Sequence, residues 1–211
     1  MTDIPNIVLA IESAIAGGSL SLQVNGVEAG QWIGSSSVSK AEELLPNIDR
    51  LLNSVHVAKS DLDLIAVSAG PGSFTGVRIG IATTLGLKTG LNLKMASESA
   101  LRAMALIQAE NDDELIIAVP VGRNAVCLQT FSKAKGSVIP VDEPHTMPED
   151  RFFTWVEDHD SKIVLHSALA ARSPRHPSII DFGTNIAFAI GQICRQNPDN
   201  MARPLFISKA F

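Results

Sequence analysis

The sequence predicts an α/β protein with a mixed sheet and helices packed against it. Three features predict it. A hairpin signal lies near the N-terminus, a strand–helix alternation follows it, and a glycine-rich turn joins an apolar strand to a helix that is apolar almost all round.

The composition sets the class. A chain of 211 residues can bury a real core as one large domain or two small ones. With 45% hydrophobic and 18% charged residues it reads as an ordinary globular protein. No apolar run reaches the roughly 18 residues of a membrane helix, so no membrane association is expected. The opening MTDIPNIVLAIES carries Asp3 and no basic start, unlike a signal peptide. Two cysteines, Cys127 and Cys194, make no disulfide framework and fit a reduced, cytoplasmic setting. The net charge is −5, lysine and arginine are scattered, and tyrosine is absent, so any RNA contact is expected only indirectly, through a partner.

Asn6–Glu12 is a short apolar run and reads as a buried strand. Ser19–Val24 alternates with period two, Asn25-Gly26 is a tight-turn signal, and Val27–Ile33 is the returning strand. Ser35–Ser39 has helix-cap chemistry, and the helix after it places Leu44, Leu45, Ile48, Leu51 and Leu52 at helical spacing, with Pro46 predicting a kink or a late first turn. Leu62–Ala69 reads as a central strand, Thr75–Lys88 as a second helix, Leu91–Ala96 as a short strand, and Ser97–Gln108 as a third helix capped by Ser97. This β-β-β-α-β-α-β-α order is that of the ribonuclease-H-like fold used by two-lobed actin-like ATPases.

The polar break Asn111–Glu114 divides residues 1–110 from residues 111–211. The second part reads as a smaller, degenerate α/β lobe. Its expected strands are Leu115–Val121, Ala125–Phe131, Val138–Val141, Ile163–His166, Ile179–Phe182 and Leu205–Ile207, and its expected helices Pro148–His159 and Asn185–Arg195.

The stretch SAGPGSFTGVRIG, Ser68–Gly80, fits neither a phosphate loop nor a dinucleotide fingerprint: no lysine follows Gly76, and Thr75 stands where a third glycine belongs. It reads as strand, tight turn, cap and helix, with Ser73 or Thr75 as cap. Such a helix start, with Arg78 in its first turn, is a candidate anion site; a purely structural turn is the alternative. Glycine inside a helix costs about 1 kcal/mol against alanine, so Gly76 and Gly80 imply a close approach. The pattern leaves its source open: the preceding helix of this chain, or a second protein.

These residues resemble the TsaB (YeaZ) family, whose GPGSFTG-[LV]-R-[IV]-G run is matched at Gly70–Gly80. Leu9–Ala14 (LAIESA), Leu44–Leu52 and Pro204–Lys209 (PLFISK) resemble weaker family features. The resemblance is strong over residues 1–105. It implies the two-lobed fold and a non-catalytic subunit of the tRNA threonylcarbamoyladenosine pathway. The implied partners are a TsaD-like catalytic subunit and a TsaE-like ATPase, with self-association when the partner is absent. The implied partner surface is Leu44, Leu45, Ile48, Gly76, Ile79, Gly80 and Thr83, which selects the second protein as the source of the close approach. The chain departs from the family at Glu12, where aspartate is usual, at Lys40-Ala41-Glu42 and at Pro120-Val121-Gly122.

Catalytic signals are sparse. His56, His145, His159, His166 and His176 show no i, i+4 pairing, and Cys-x-x-Cys and G-x-S-x-G are missing, so no metal and no catalytic residue is expected. No cofactor is expected either. The competing reading is a stand-alone nucleotide-binding enzyme of the actin-like superfamily, with Glu12, Ser73, Thr75 and Arg78 as candidate anion or nucleotide residues. In the simpler reading Glu12 is a strand-end carboxylate bonded to loop amides. Arg172–His176 is a basic loop, read as solvated, with tRNA phosphate contact as the alternative.

Overall fold

The computed structural model describes residues 4–35, 40–110, 114–122, 124–134 and 137–205. The Ser36–Ser39 part of the first cap loop, Asn111–Asp113 of the polar break, and Phe206–Lys209 of the PLFISK tail lie outside the described residues.

Asn25 and Gly26 both take positive φ, 54° and 81°, as a two-residue type I′ turn requires. They join β2 (Ser19–Val24) to β3 (Val27–Ile33), and β2 runs antiparallel to β1 (Ile7–Glu12). α1 (Lys40–Ser54) carries Glu42 and Glu43 in its first turn, where acids favour the helix dipole, and continues through Pro46. β4 (Leu64–Ser68), α2 (Phe74–Leu91), β5 (Lys94–Glu98) and α3 (Ala100–Gln108) follow. β4 and β5 lie parallel to β1, which completes a mixed sheet of order β3-β2-β1-β4-β5. One expectation is corrected here. Ser97 belongs to β5, and Ser99 caps α3 by accepting from the Arg102 N–H.

The second part forms a six-stranded mixed sheet of order β11-β10-β6-β7-β8. Its strands are β6 (Glu114–Pro120), β7 (Ala125–Ala134), β8 (Ser137–Pro140), β9 (His145–Pro148), β10 (Lys162–His166) and β11 (Ile179–Gly183), with β9 also pairing on β7. Its helices are α4 (Glu149–Glu157), the short α5 (Ser167–Ala170) and α6 (Ile186–Gln196). The sequence pattern missed β9 and α5, each only four residues long.

Three apolar cores stack the layers. Leu9, Ile11, Leu20, Leu22, Ile65 and Val67 face outward from the first sheet and bury α1 through Leu44, Ile48, Leu51 and Leu52. Val8, Ala10, Leu64 and Ala66 face inward onto α3 and α6, which also meet Ile117, Val119 and Val164 of the second sheet. Ile116, Ala118, Ile163 and Leu165 face the other way, under α4 and α5. α3 and α6 therefore form a middle layer between the sheets, and α6 returns from the second part to cover the first sheet.

β2 shows the consequence. Its alternation suggests a half-exposed strand, yet Ser19, Ser21 and Gln23 are fully buried beneath α6. The polar groups are satisfied there: the Ala187 N–H donates to Ser19 Oγ at 3.1 Å, Gln23 Nε2 to the Phe188 carbonyl at 2.9 Å, and Gln192 Nε2 to Gln23 Oε1 at 3.1 Å.

Candidate docking face around the glycine-rich helix

The β1 end turns sharply through Ser13-Ala14-Ile15. Glu12, 1% exposed, ties this loop down: its Oε1 accepts from the Ala14 N–H and from the Ile15 N–H at 3.0 Å. This is the strand-end role that the simpler reading assigned to it. The loop then docks on the start of α2. The Ser73 N–H donates to the Ala14 carbonyl at 2.8 Å, and Ser13 Oγ donates to the Gly76 carbonyl at 2.8 Å. Ser73 Oγ caps the helix by accepting from the Gly76 N–H at 3.1 Å.

The glycines are bare because of this loop. A Cβ on Gly76 would lie 2.3 Å from the Ser13 carbonyl oxygen, one on Gly72 would lie 2.5 Å from the Ala14 Cβ, and one on Gly80 would lie 2.3 Å from Ser13 Oγ. The close approach is made by the β1–β2 loop of the same chain, which corrects the expectation of a helix from a second protein. Leu44 and Ile48 are likewise buried, packed on the outer face of the first sheet. Four of the seven expected interface residues, Leu44, Ile48, Gly76 and Gly80, thus serve this chain's own core. Ile79 and Thr83 are half-buried, and Leu45 is 50% exposed.

The outward side of α2 has a different character. Phe74 is 46% exposed and Leu85 45% exposed. Arg78 lies one turn beyond Phe74, its guanidinium 3.8 Å from the centre of the Phe74 ring. Sequence reasoning missed Phe74 and Leu85. Their signal was present in the sequence: once Gly76, Val77, Gly80 and Thr84 define the buried face, Phe74 and Leu85 fall on the opposite side of the helix.

The four candidate anion residues have separate uses. Glu12 holds its loop, Ser73 caps α2, Arg78 lies over Phe74, and Thr75 is exposed. Arg172 in the basic loop makes a two-point contact with Glu149, at 2.8 and 2.9 Å. Arg175 and His176 line a shallow cleft of about 610 Å³ with Ile179 and Asp181. Among the described residues, no cluster of three or more His, Cys, Asp or Glu is placed to hold a metal, and no helix is long and apolar enough to cross a membrane.

A family model described as TsaD, tRNA N6-adenosine threonylcarbamoyltransferase, matches residues 36–151, more than half of the chain. The chain belongs to this family, in its TsaB (YeaZ) group. The tRNA threonylcarbamoyladenosine biosynthesis protein TsaB of Escherichia coli is 41% identical to this TsaB-type chain over 64 residues, 30% of this chain and 28% of the relative. That of Haemophilus influenzae is 35% identical over 99 residues, 44% of this chain and 41% of the relative. The matched stretches thus span less than half the length of these curated relatives. Among solved structures, YeaZ from Pseudomonas aeruginosa superposes with a TM-score of 0.70 at 21% identity, over 96% of this chain and 100% of that one. The ethanolamine utilization protein EutJ from Carboxydothermus hydrogenoformans does so with a TM-score of 0.54 at 10% identity, over 92% of each chain. These likenesses establish the fold of the TsaB-type chain as the expected two-sheet actin-like one.

Proposed function

We propose that this chain is a non-catalytic subunit in the biosynthesis of tRNA threonylcarbamoyladenosine. In this reading it docks a TsaD-like catalytic subunit through the outward face of α2 and the exposed Leu45 of α1. A TsaE-like ATPase joins the pair, tRNA is met only within that assembly, and the same face pairs two copies of the chain when the partner is absent. The observation that carries the reading is the apolar outward side of α2, with Phe74 and Leu85 about half exposed, as Leu45 of α1 is. Such a surface loses free energy to water until a second surface covers it. The names of the curated relatives support the pathway.

Light scattering after size exclusion tests it, on the chain alone and mixed with the TsaD-like protein of its own organism. The expected result is a one-to-one complex that Leu85→Glu prevents. A wild-type mixture that elutes as two separate proteins would sink the proposal. Because Gly80 is packed against Ser13, Gly80→Arg would report on folding rather than on docking.

A further inference from the structure

The chain after α6 doubles back along the free edge of β5. Met201 forms a parallel bridge with Ser97, the Ser97 N–H donates to the Asn200 carbonyl at 2.9 Å, and the Ala202 N–H donates to the Ser97 carbonyl at 3.3 Å. The strap then crosses to the end of β4, where the Leu205 N–H donates to the Ala69 carbonyl at 2.8 Å. There it meets the glycine turn that opens α2: a Cβ on Gly70 would lie 3.0 Å from the Leu205 carbonyl oxygen.

One carboxylate gathers these pieces. Glu98 is 3% exposed. Its Oε1 accepts from the Ser99 N–H at 2.7 Å, and its Oε2 pairs with Arg102 and accepts from Asn200 Nδ2 at 3.2 Å. Asn200 Nδ2 also donates to the Ser97 carbonyl at 2.9 Å. The Glu98 backbone carbonyl accepts from the Ala69 N–H at 2.8 Å, one residue before the glycine turn, and the Gly70 carbonyl accepts from the Ala100 N–H at 2.8 Å. The turn is thus held from one side by α3 and from the other by the strap.

We propose that Glu98 and Asn200 form a clasp that fixes the strap and, through it, the glycine turn and the first turn of α2, so that docking depends on residues outside the docking face. Glu98 and Asn200 are positioning residues; neither lies on the outward side of α2. Three backbone hydrogen bonds and the Ser97 Oγ bond to the Ala202 carbonyl at 3.2 Å hold the strap over residues 200–205, and a buried carboxylate with its asparagine adds the side-chain bonds that register it. Without the strap, β5 is an open sheet edge. The inference rests on the proposed docking role of α2, but its first test does not.

That test is amide hydrogen exchange on the full chain, comparing wild type with Asn200→Ala. The clasp predicts at least tenfold faster exchange at the Leu205 amide and through Gly70–Val77, with the second sheet unchanged. Asn200→Asp keeps the side-chain shape but removes the donor toward Glu98, and it gives the same result if Asn200→Ala folds poorly. The second test is association with the TsaD-like protein, which both variants weaken at least tenfold. Unchanged exchange in a folded Asn200 variant overturns the clasp. So does faster exchange accompanied by undiminished association, provided that Leu85→Glu abolishes the complex. If Leu85→Glu leaves the complex intact, the docking face itself is wrong, and the exchange data alone decide the clasp.

Discussion

α2 and α6 are both rich in apolar residues and have opposite fates. α2 is apolar on almost every side, whereas α6 gathers Gln192, Arg195 and Gln196 on one side; both carry glycine where something presses close. α6 buries seven of its eleven residues because the first sheet lies on one side of it and α3 on another. α2 buries only Gly76, Val77, Gly80 and Thr84 of its eighteen, because the first sheet, α1 and the β1–β2 loop pack against one side of it, while Phe74 and Leu85 on the other side stay about half exposed. The comparison teaches that a largely apolar helix states a demand for covers without stating where they come from. In α6 both covers are intramolecular. In α2 one is, and the proposed partner is the other.

Matched substitutions break or sharpen this comparison, with the largest effect expected in α6. Ile190→Glu puts a carboxylate into the middle layer, where Ile190 is fully buried. It is expected to cost more than about 4 kcal/mol, enough to abolish the cooperative thermal transition. Leu85→Glu on the open side of α2 is expected to change stability by less than about 0.5 kcal/mol while removing association. Similar losses at both positions would mean that the outward side of α2 is covered within the chain.

The next contrast lies within α2. Gly76→Ala meets the Ser13 carbonyl, a backbone atom that cannot swing aside, and is expected to cost about 1–3 kcal/mol in urea unfolding. At Gly86 nothing lies within 4 Å of a new Cβ, so Gly86→Ala is expected to gain up to about 1 kcal/mol from helix propensity alone. Equal effects at the two sites would remove the β1–β2 loop as the reason for the glycine run.

The cysteines test the middle layer. Burial pushes the Cys127 thiol from its ordinary 9.0 up to about 12. Cys194 in α6 is raised as well, by burial first and then by the Glu98 charge. Above pH 9 the unfolded chain releases protons that the folded chain retains. Stability therefore falls as pH rises from about 9 toward 12. Cys127→Ser and Cys194→Ser together should flatten that slope in pH-dependent unfolding. Native thiols should also react with a disulfide reagent only at the rate of opening.

Much of the fold was legible. The β2–β3 hairpin follows from Asn25-Gly26, α1 from its leucine spacing, and the strand–helix alternation from short apolar runs between caps. β9 and α5 were not, because His145–Pro148 is no apolar run and Ser167–Ala170 spans little more than one helical turn. The start of α3 was misplaced because Ser97 and Ser99 are equally good caps by residue type. Only the sheet registers Ser97 in β5 and leaves Ser99 to the helix. In the candidate site, Glu12 and Ser73 were legible as a strand-end carboxylate and a cap. The cover of the glycines was not, since Ser13 and Ala14 lie about sixty residues earlier in the chain.

What the sequence by itself determined is the set of local surfaces: a type I′ turn, a capped glycine-bearing helix, an alternating strand and an apolar C-terminal helix. Each is decided by groups a few residues apart, through φ preferences, caps and side-chain period. What only the tertiary structure decided is which surface meets which. Gly76 needs a neighbour of no particular identity, and the fold supplies Ser13. Ser19, Ser21 and Gln23 read as a wet face, and α6, more than 160 residues later, buries and satisfies them. Packing rewards shape and hydrogen-bond complementarity whatever the separation along the chain, and a single sequence records the complementary surfaces without recording their pairing.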